Sequence, residues 1–188
     1  MSNLNNREFT LRDFTIHIIE KPAFEAVGFM RHVKLDGGDI AKFIAELTKN
    51  GQMSKLGATL PEPQQIWVCL LDCNYAPGKK ACAVCDRSCE GFHTRCLVCV
   101  KKTPAHDFSV FDADELTTLH IPSSLWADFQ SDIMEGCDFY NDAQAIGYPW
   151  NEKIRLHFDN EHDWAPGQTR HFWLPVKKLK LIDKIRKK

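Results

Sequence analysis

The sequence predicts an α+β fold in which two modules of the same element order, β-α-β-β, contribute strands to one antiparallel sheet system. Three observations predict it. Apolar runs of strand length recur along the 188 residues, each half places one helical segment among its strands, and no Pro- or Ser-rich linker separates the halves. The halves share no visible sequence identity, so the repeat is one of element order only. A hydrophobic content of 44% with 26% charged residues argues against disorder and against a fibrous repeat.

The first module covers about residues 14–110 and follows a polar leader over 1–13. Residues 14–33 are typical of an extended segment that bends at Pro22, because proline removes a ladder donor. Asp39 is a suitable N-cap for a helix that ends at Asn50-Gly51. The apolar side chains of this helix recur at helical spacing: Ile40, Phe43, Ile44 and Leu47. Two cysteine-bearing strands follow, over 65–73 and 91–100.

The second module covers about residues 116–177. An extended segment over 119–122 leads into a strand over 125–129, a weak helix is predicted within 132–146, and strands follow over 154–158 and 170–176, which gives the order β-α-β-β again. His171 and Trp173 project to one face of the last strand, opposite Phe172 and Leu174, which makes this pair the better candidate for a ligand-facing surface. The following residues, 178–188, are basic, and a solvated tail is favoured there over a contact with nucleic acid or anionic lipid.

Eight cysteines without a secretory signal are typical of a metal site or of free thiols rather than of disulfides. The polar hairpin loop over 73–90 predicts a structural zinc clip, because four thiolates close a tetrahedral site and would order the loop. Its ligands are Cys73, Cys82, Cys85 and Cys89, with His93 as a substitute. Free thiols in the loop are the main alternative, and a redox or disulfide role is the lesser one. Cys96 and Cys99 point to opposite faces of a regular strand and are expected to be core or surface thiols.

Charge and hydropathy exclude several function classes. With 24 basic and 25 acidic residues, the net charge is −1, which gives no overall field to attract nucleic acid. The longest apolar run, 66–71, is far shorter than the roughly 20 residues that span a bilayer. The first six residues lack the apolar core of a signal peptide. These features predict a cytoplasmic protein with no direct nucleic-acid partner and no membrane partner.

Aromatic residues make up 11% of the chain and concentrate in its second half. Flat rings suit planar or cationic ligands because they offer a large apolar area and a polarised face, although core packing accounts for most of them. The candidate ligand-binding residues are Trp67, Trp126, Tyr140, Tyr148, Trp150, His157, Trp164, His171 and Trp173. His157 and Asp159 share a strand face and are candidates for a metal or acid/base site, but an exposed acidic turn over 157–163 is favoured.

Three segments in order resemble the GyrI-like small-molecule-binding family, which includes the effector-binding domains of AraC-type and related multidrug-responsive regulators. They are EKPAFEAVG at 20–28, LHIPSSLWADF at 119–129 and FWLPV at 172–176. The resemblance spans about 14–177 and implies one domain of two pseudo-symmetric modules with a central ligand cleft lined by aromatic rings. In cation-binding members an acidic residue commonly lies four positions before the proline of the last motif, whereas this chain has His171 there.

The resemblance favours a stand-alone protein that binds a planar, amphipathic or drug-like small molecule, as in bacterial transcription regulation. Thirteen residues before Phe14 leave no room for a helix-turn-helix, so a partner would have to bind DNA. One alternative is a hydrolase of electrophilic cyclopropane-type toxins, with a carboxylate from Asp138, Asp159 or Glu161. A second alternative is a gyrase-inhibitor-like domain that binds a protein partner. The sequence contains no phosphate-binding glycine loop, serine nucleophile elbow or dehydrogenase fingerprint, but the lack of these motifs does not exclude catalysis.

Overall fold

The computed structural model describes residues 7–11, 14–34, 38–60, 65–71, 93–131, 151, 154, 156–159 and 170–177. These residues form nine strands and two helices. In chain order they are β1 (Arg7–Leu11), β2 (Phe14–Lys21), β3 (Phe24–Lys34), α1 (Asp39–Lys49), α2 (Gln52–Gly57), β4 (Trp67–Leu71), β5 (His93–Lys101), β6 (Thr117–Ile121), β7 (Ser124–Ser131), β8 (Leu156–Asp159) and β9 (Arg170–Val176). Every pairing among these strands is antiparallel, which confirms the predicted α+β class.

The described strands form one sheet in the order β1-β2-β7-β9-β8-β4-β5-β3-β6. The order is symmetric about the β8–β4 pair, because β7-β9-β8 on one side corresponds to β3-β5-β4 on the other. Each half also gives a strand to the other half. The chain runs from β2 through a corner at Pro22 into β3, yet β2 pairs with β7. It likewise runs from β6 through a corner at Pro122 into β7, yet β6 pairs with β3. The sequence predicts the repeated element order, but it does not predict this exchange.

The sheet curls so that strands far apart in its order come together. Lys21 ends β2 and Phe24 begins β3, although the two strands are six places apart in the sheet. At about 4.8 Å per strand, a flat sheet would separate them by roughly 29 Å, whereas three residues reach only about 10 Å. The ring of Phe24 accordingly lies 6.5 Å from the ring of Trp173 on β9. The curl gives the sheet a concave face.

Apolar side chains pack on both faces of the sheet. The concave cluster contains Phe24, Ala26, Trp67, Cys69, Leu71, Leu97, Cys99, Ile121, Trp126 and Ile154, with Ile19, Met30, Leu119 and Trp173 at its edge. The helix-side cluster joins α1 and α2 to the other face through Phe29, Val33, Phe43, Leu47, Leu56, Ile66, Val68, Leu70, Cys96, Val98 and Val100. Successive residues of one strand alternate between the clusters. Cys96 and Cys99 therefore lie on opposite faces, as predicted, and both are buried.

Gly28 marks a close approach between β3 and β5. A Cβ atom at this position would lie 2.6 Å from the Cα of Cys99 and would overlap the carbonyl oxygen of Val98. Both obstacles belong to backbone, which cannot rotate away as a flexible side chain can. Glycine within a strand is typical of such close backbone approach.

The first module differs from the sequence prediction in three details. Gly38, in the left-handed conformation with φ 67°, is the N-cap of α1 in place of Asp39. The carboxylate of Asp39 instead accepts hydrogen bonds from the backbone N–H of Lys34 and from Nζ of Lys42. A second short helix, α2, follows Gly51. Residues 7–11 of the predicted polar leader form β1, which pairs with β2.

The helices of the described residues are short. The longer one, α1, has 11 residues, and none of these helices has the length and apolar character needed to cross a bilayer.

Candidate ligand-binding site

A carboxylate with two nitrogen donors lies beside the concave cluster. Asp128 on β7 is directly opposite Trp173 on β9, and Lys21 ends the adjacent strand β2. Nζ of Lys21 lies 3.4 Å from Oδ2 of Asp128, and Nε2 of His171 lies 2.6 Å from Oδ1. An ionised carboxylate only accepts hydrogen bonds, so His171 donates from Nε2. Both carboxylate oxygens of Asp128 are therefore engaged by the chain itself.

The three polar side chains are largely shielded from solvent. Their exposed fractions are 14% for Lys21, 20% for Asp128 and 22% for His171. Burial lowers the pKa of the Lys21 ammonium, Asp128 raises it, and the nearby charge of Lys101 lowers it further. Burial raises the pKa of Asp128, but the hydrogen bonds and charges of His171 and Lys21 outweigh burial and hold that pKa below its ordinary value. Asp128 is therefore a carboxylate at neutral pH.

Aromatic rings from four strands meet next to this group, and we call them the ring cluster: Phe24, Trp67, Trp126, His171 and Trp173. The centroids of Trp67 and Trp173 lie 4.1 Å apart with an interplanar angle of 33°. His171 lies 5.2 Å from Trp67, and Phe24 lies 6.3 Å from Trp126. Separations of this size stabilise aromatic pairs beyond their burial.

Lys21 joins the polar group to the ring cluster. Its Nζ lies 3.7 Å from the centroid of a Trp173 ring, which is within the range of a cation–π contact. The same ammonium also pairs with Asp128. Trp173 and His171 remain partly exposed, while Trp67 is 4% exposed and Trp126 is fully buried. Solvent therefore reaches the cluster at Trp173 and His171, and Trp126 supports it from the core.

The structure brings together three of the residues that the sequence marks as ligand candidates, namely Trp67, His171 and Trp173. A fourth candidate, Trp126, contacts Phe24, which in turn contacts Trp173. The shared strand face predicted for His171 and Trp173 is confirmed by their contacts with Trp67. The other candidates fall elsewhere: Tyr140, Tyr148, Trp150 and Trp164 lie outside the described residues, as do Asp138 and Glu161 of the hydrolase alternative, and the structure describes only the backbone of His157 and Asp159, on β8.

Sequence reasoning missed Lys21, Asp128, Phe24 and Lys101 as parts of this site. The sequence does contain a signal for Asp128. It lies two positions after Trp126 on β7, and residues two apart on a strand share a face. Lys21 and Phe24 flank the Pro22 corner of the first segment that resembles the GyrI-like family. Such positions are recognisable only when the partner strand is known.

The four predicted zinc ligands, Cys73, Cys82, Cys85 and Cys89, lie outside the described residues, so the zinc clip stays a prediction. Within the part of the chain that the structure describes, no group of three or more His, Cys, Asp or Glu side chains could hold a metal. Cys69, Cys96 and Cys99 are buried thiols. Burial, followed by the nearby Cys96, raises the pKa of the Cys99 thiol well above its usual range, which makes it an inert core residue.

Neither a protein-family model nor a curated protein matches the sequence. Solved structures do. SAV2435 bound to tetraphenylphosphonium is 13% identical, with a TM-score of 0.53 over 88% of this chain and 94% of that one. A Staphylococcus aureus MU50 protein assigned provisionally to bacterial transcription regulation is 13% identical, with a TM-score of 0.55 over 88% of this chain and 98% of that one. The EcmrR C-terminal domain is 13% identical, with a TM-score of 0.53 over 88% of this chain and 99% of that one.

At this level of identity the likeness shows the fold. The chain is an α+β protein with the fold of these three structures. They fit the GyrI-like fold that the three sequence segments predict.

Proposed function

We propose that the chain binds a small aromatic molecule on the concave face of the sheet, against the Trp67–Trp173 ring pair. The observation that carries the proposal is the partial exposure of Trp173 beside the buried rings of Trp67 and Phe24. A partly exposed indole beside a few polar groups is typical of ligand sites, where rings supply affinity and polar groups supply orientation. The bound tetraphenylphosphonium of SAV2435 supports the proposal, since that protein shares the fold and its ligand carries four phenyl rings.

Replacing Trp173 with leucine is the test. The neutral probe 2-naphthalenemethanol is titrated calorimetrically into the wild-type protein and into Trp173→Leu. We expect saturable binding to the wild type and roughly fivefold weaker binding to the variant, because one lost aromatic contact is worth about 1 kcal/mol.

The matched control is Phe111→Leu. Phe111 packs edge-on against Phe29 next to the helix-side cluster, at a ring separation of 5.7 Å. This variant removes a partly buried aromatic ring from the opposite face, so it is expected to lower stability and leave the dissociation constant within about twofold. No binding to the wild type, or equal weakening in both variants, would contradict the proposal.

The structural zinc clip is retained as a separate proposal. It is supported by the antiparallel pairing of β4 and β5, in which Leu71 lies opposite Arg95, because the loop that contains the cysteines then begins and ends at neighbouring positions. Zinc analysis of protein purified without chelators tests it. The hydrolase, the protein-partner role and a link to transcription regulation also remain proposals, and no arrangement among the described residues favours one of them over ligand binding.

A further inference from the structure

The proposed binding face already holds a cation that belongs to the chain. Nζ of Lys21 lies 3.7 Å from a Trp173 ring centroid and 3.4 Å from Oδ2 of Asp128. An aromatic face with a carboxylate next to it is the environment that attracts a cationic ligand. Lys21 occupies that environment, and His171 holds the second oxygen of the same carboxylate. A cationic ligand would therefore have to displace the Lys21 ammonium, which is covalently part of the chain.

A second ammonium lies at the same end of the ring cluster. Nζ of Lys101 is 5.1 Å from the ring centroid of Phe24, and Phe24 is 6.5 Å from Trp173. Lys101 is exposed, and its charge acts on Lys21. Two ammonium groups thus accompany one carboxylate, Asp128, so the described side chains around the ring cluster carry a net positive charge even when His171 is neutral.

We propose that the natural ligand is a planar aromatic anion, such as an aromatic carboxylate, and that Lys21 excludes aromatic cations. This inference rests on the proposed function and specifies the ligand class of the same site. The rings of Trp67 and Trp173 would hold the ligand's aromatic part, while Lys21 and Lys101 would attract its carboxylate. An organic cation would meet a like charge at the ring face and a carboxylate whose two oxygens are engaged.

Three isosteric probes test the inference by calorimetry: 2-naphthoate, 2-naphthalenemethanol and 2-naphthylmethylammonium. In the wild type we expect the anion to bind about tenfold more tightly than the cation, a difference that shrinks with added salt. In Lys21→Met the ring face and Asp128 become open to the ligand, so the order reverses, and the cation gains about tenfold or more. Lys101→Met is expected to weaken the anion and to strengthen the cation much less than Lys21→Met does, because Lys21 still covers the Trp173 ring and pairs with Asp128 in that variant.

The matched control is Lys102→Met. Lys102 follows Lys101 directly but pairs with the exposed Glu25 at 2.9 Å, so its removal should leave the anion-to-cation ratio within about twofold. Circular dichroism checks that each variant folds, and Lys21→Gln, which retains a donor for Asp128, replaces Lys21→Met should that variant unfold. Equal affinities for all three probes, or an unchanged ratio in the Lys21 variants, would overturn the inference while leaving the binding site in place. Failure of every probe to bind the wild type would overturn the proposed function and this inference together.

Discussion

The Gly28→Val variant is expected to lose about 3 kcal/mol of its free energy of unfolding, or to fail to fold. The added side chain would meet the backbone of β5, because even a Cβ atom would lie 2.6 Å from the Cα of Cys99. Relief requires β3 and β5 to separate, and these strands pair along nine residues, from Ala26 opposite Lys101 to Lys34 opposite His93. Urea denaturation followed by circular dichroism measures the loss.

Gly57→Ala is the matched control for this substitution. A Cβ atom at Gly57, the last residue of α2, would lie 3.9 Å from Cδ1 of Ile66, which is an ordinary van der Waals contact. Alanine is also the better helix former. The free energy of unfolding is therefore expected to change by less than about 0.5 kcal/mol. Wild-type stability in Gly28→Val would mean that β3 and β5 do not approach each other as described.

The Asp128→Ala variant is expected to lose about 2 kcal/mol of unfolding free energy. Removing the carboxylate leaves Lys21 and His171 without the acceptor that they share, in a setting where the Lys21 side chain is only 14% exposed. A fully buried pair would cost more when broken, but residual solvent access reduces the penalty here. Glu25→Gln is the control, because the Lys102–Glu25 pair is 43% exposed on both sides and should contribute less than about 0.5 kcal/mol.

The cost of Asp128→Ala is also expected to depend on pH. The folded-state pKa of Asp128 is lowered, so its contribution to stability is present above the unfolded-state pKa and is lost as the pH falls through the folded-state pKa. The stability gap between wild type and variant should therefore shrink as the pH is lowered from about 6 to about 3. A gap that is constant over this range, or that widens towards acid, would contradict the ionised state assigned to Asp128.

Local patterns were sufficient to predict most of the strands. The alternation of residues 170–176 placed His171 and Trp173 on one face, and the apolar run of 66–71 marked β4, because the period of a strand is visible in a single segment. The exchange of β2 and β6 between the halves could not be predicted in this way. It depends on which distant strand each one pairs with, and the sequences at the Pro22 and Pro122 corners do not encode that choice locally.

The polar part of the site was missed for the same physical reason. Lys21 and Asp128 are separated by 107 positions in the chain, and each alone has the appearance of a charged residue at a strand surface. Their roles arise only from the pairing of β2 with β7 and of β7 with β9, which places both side chains beside Trp173. The aromatic residues were easier to predict, because a buried or half-buried tryptophan is conspicuous in any strand.

A crystal structure with 6-bromo-2-naphthoate tests the central claim most directly, because bromine can be located by its anomalous scattering. We expect one anomalous peak on the concave face, in van der Waals contact with the Trp67–Trp173 pair, and the probe's carboxylate towards Lys21 and Lys101. Bromine that is absent from the concave face, or bound only elsewhere on the protein, would contradict the account.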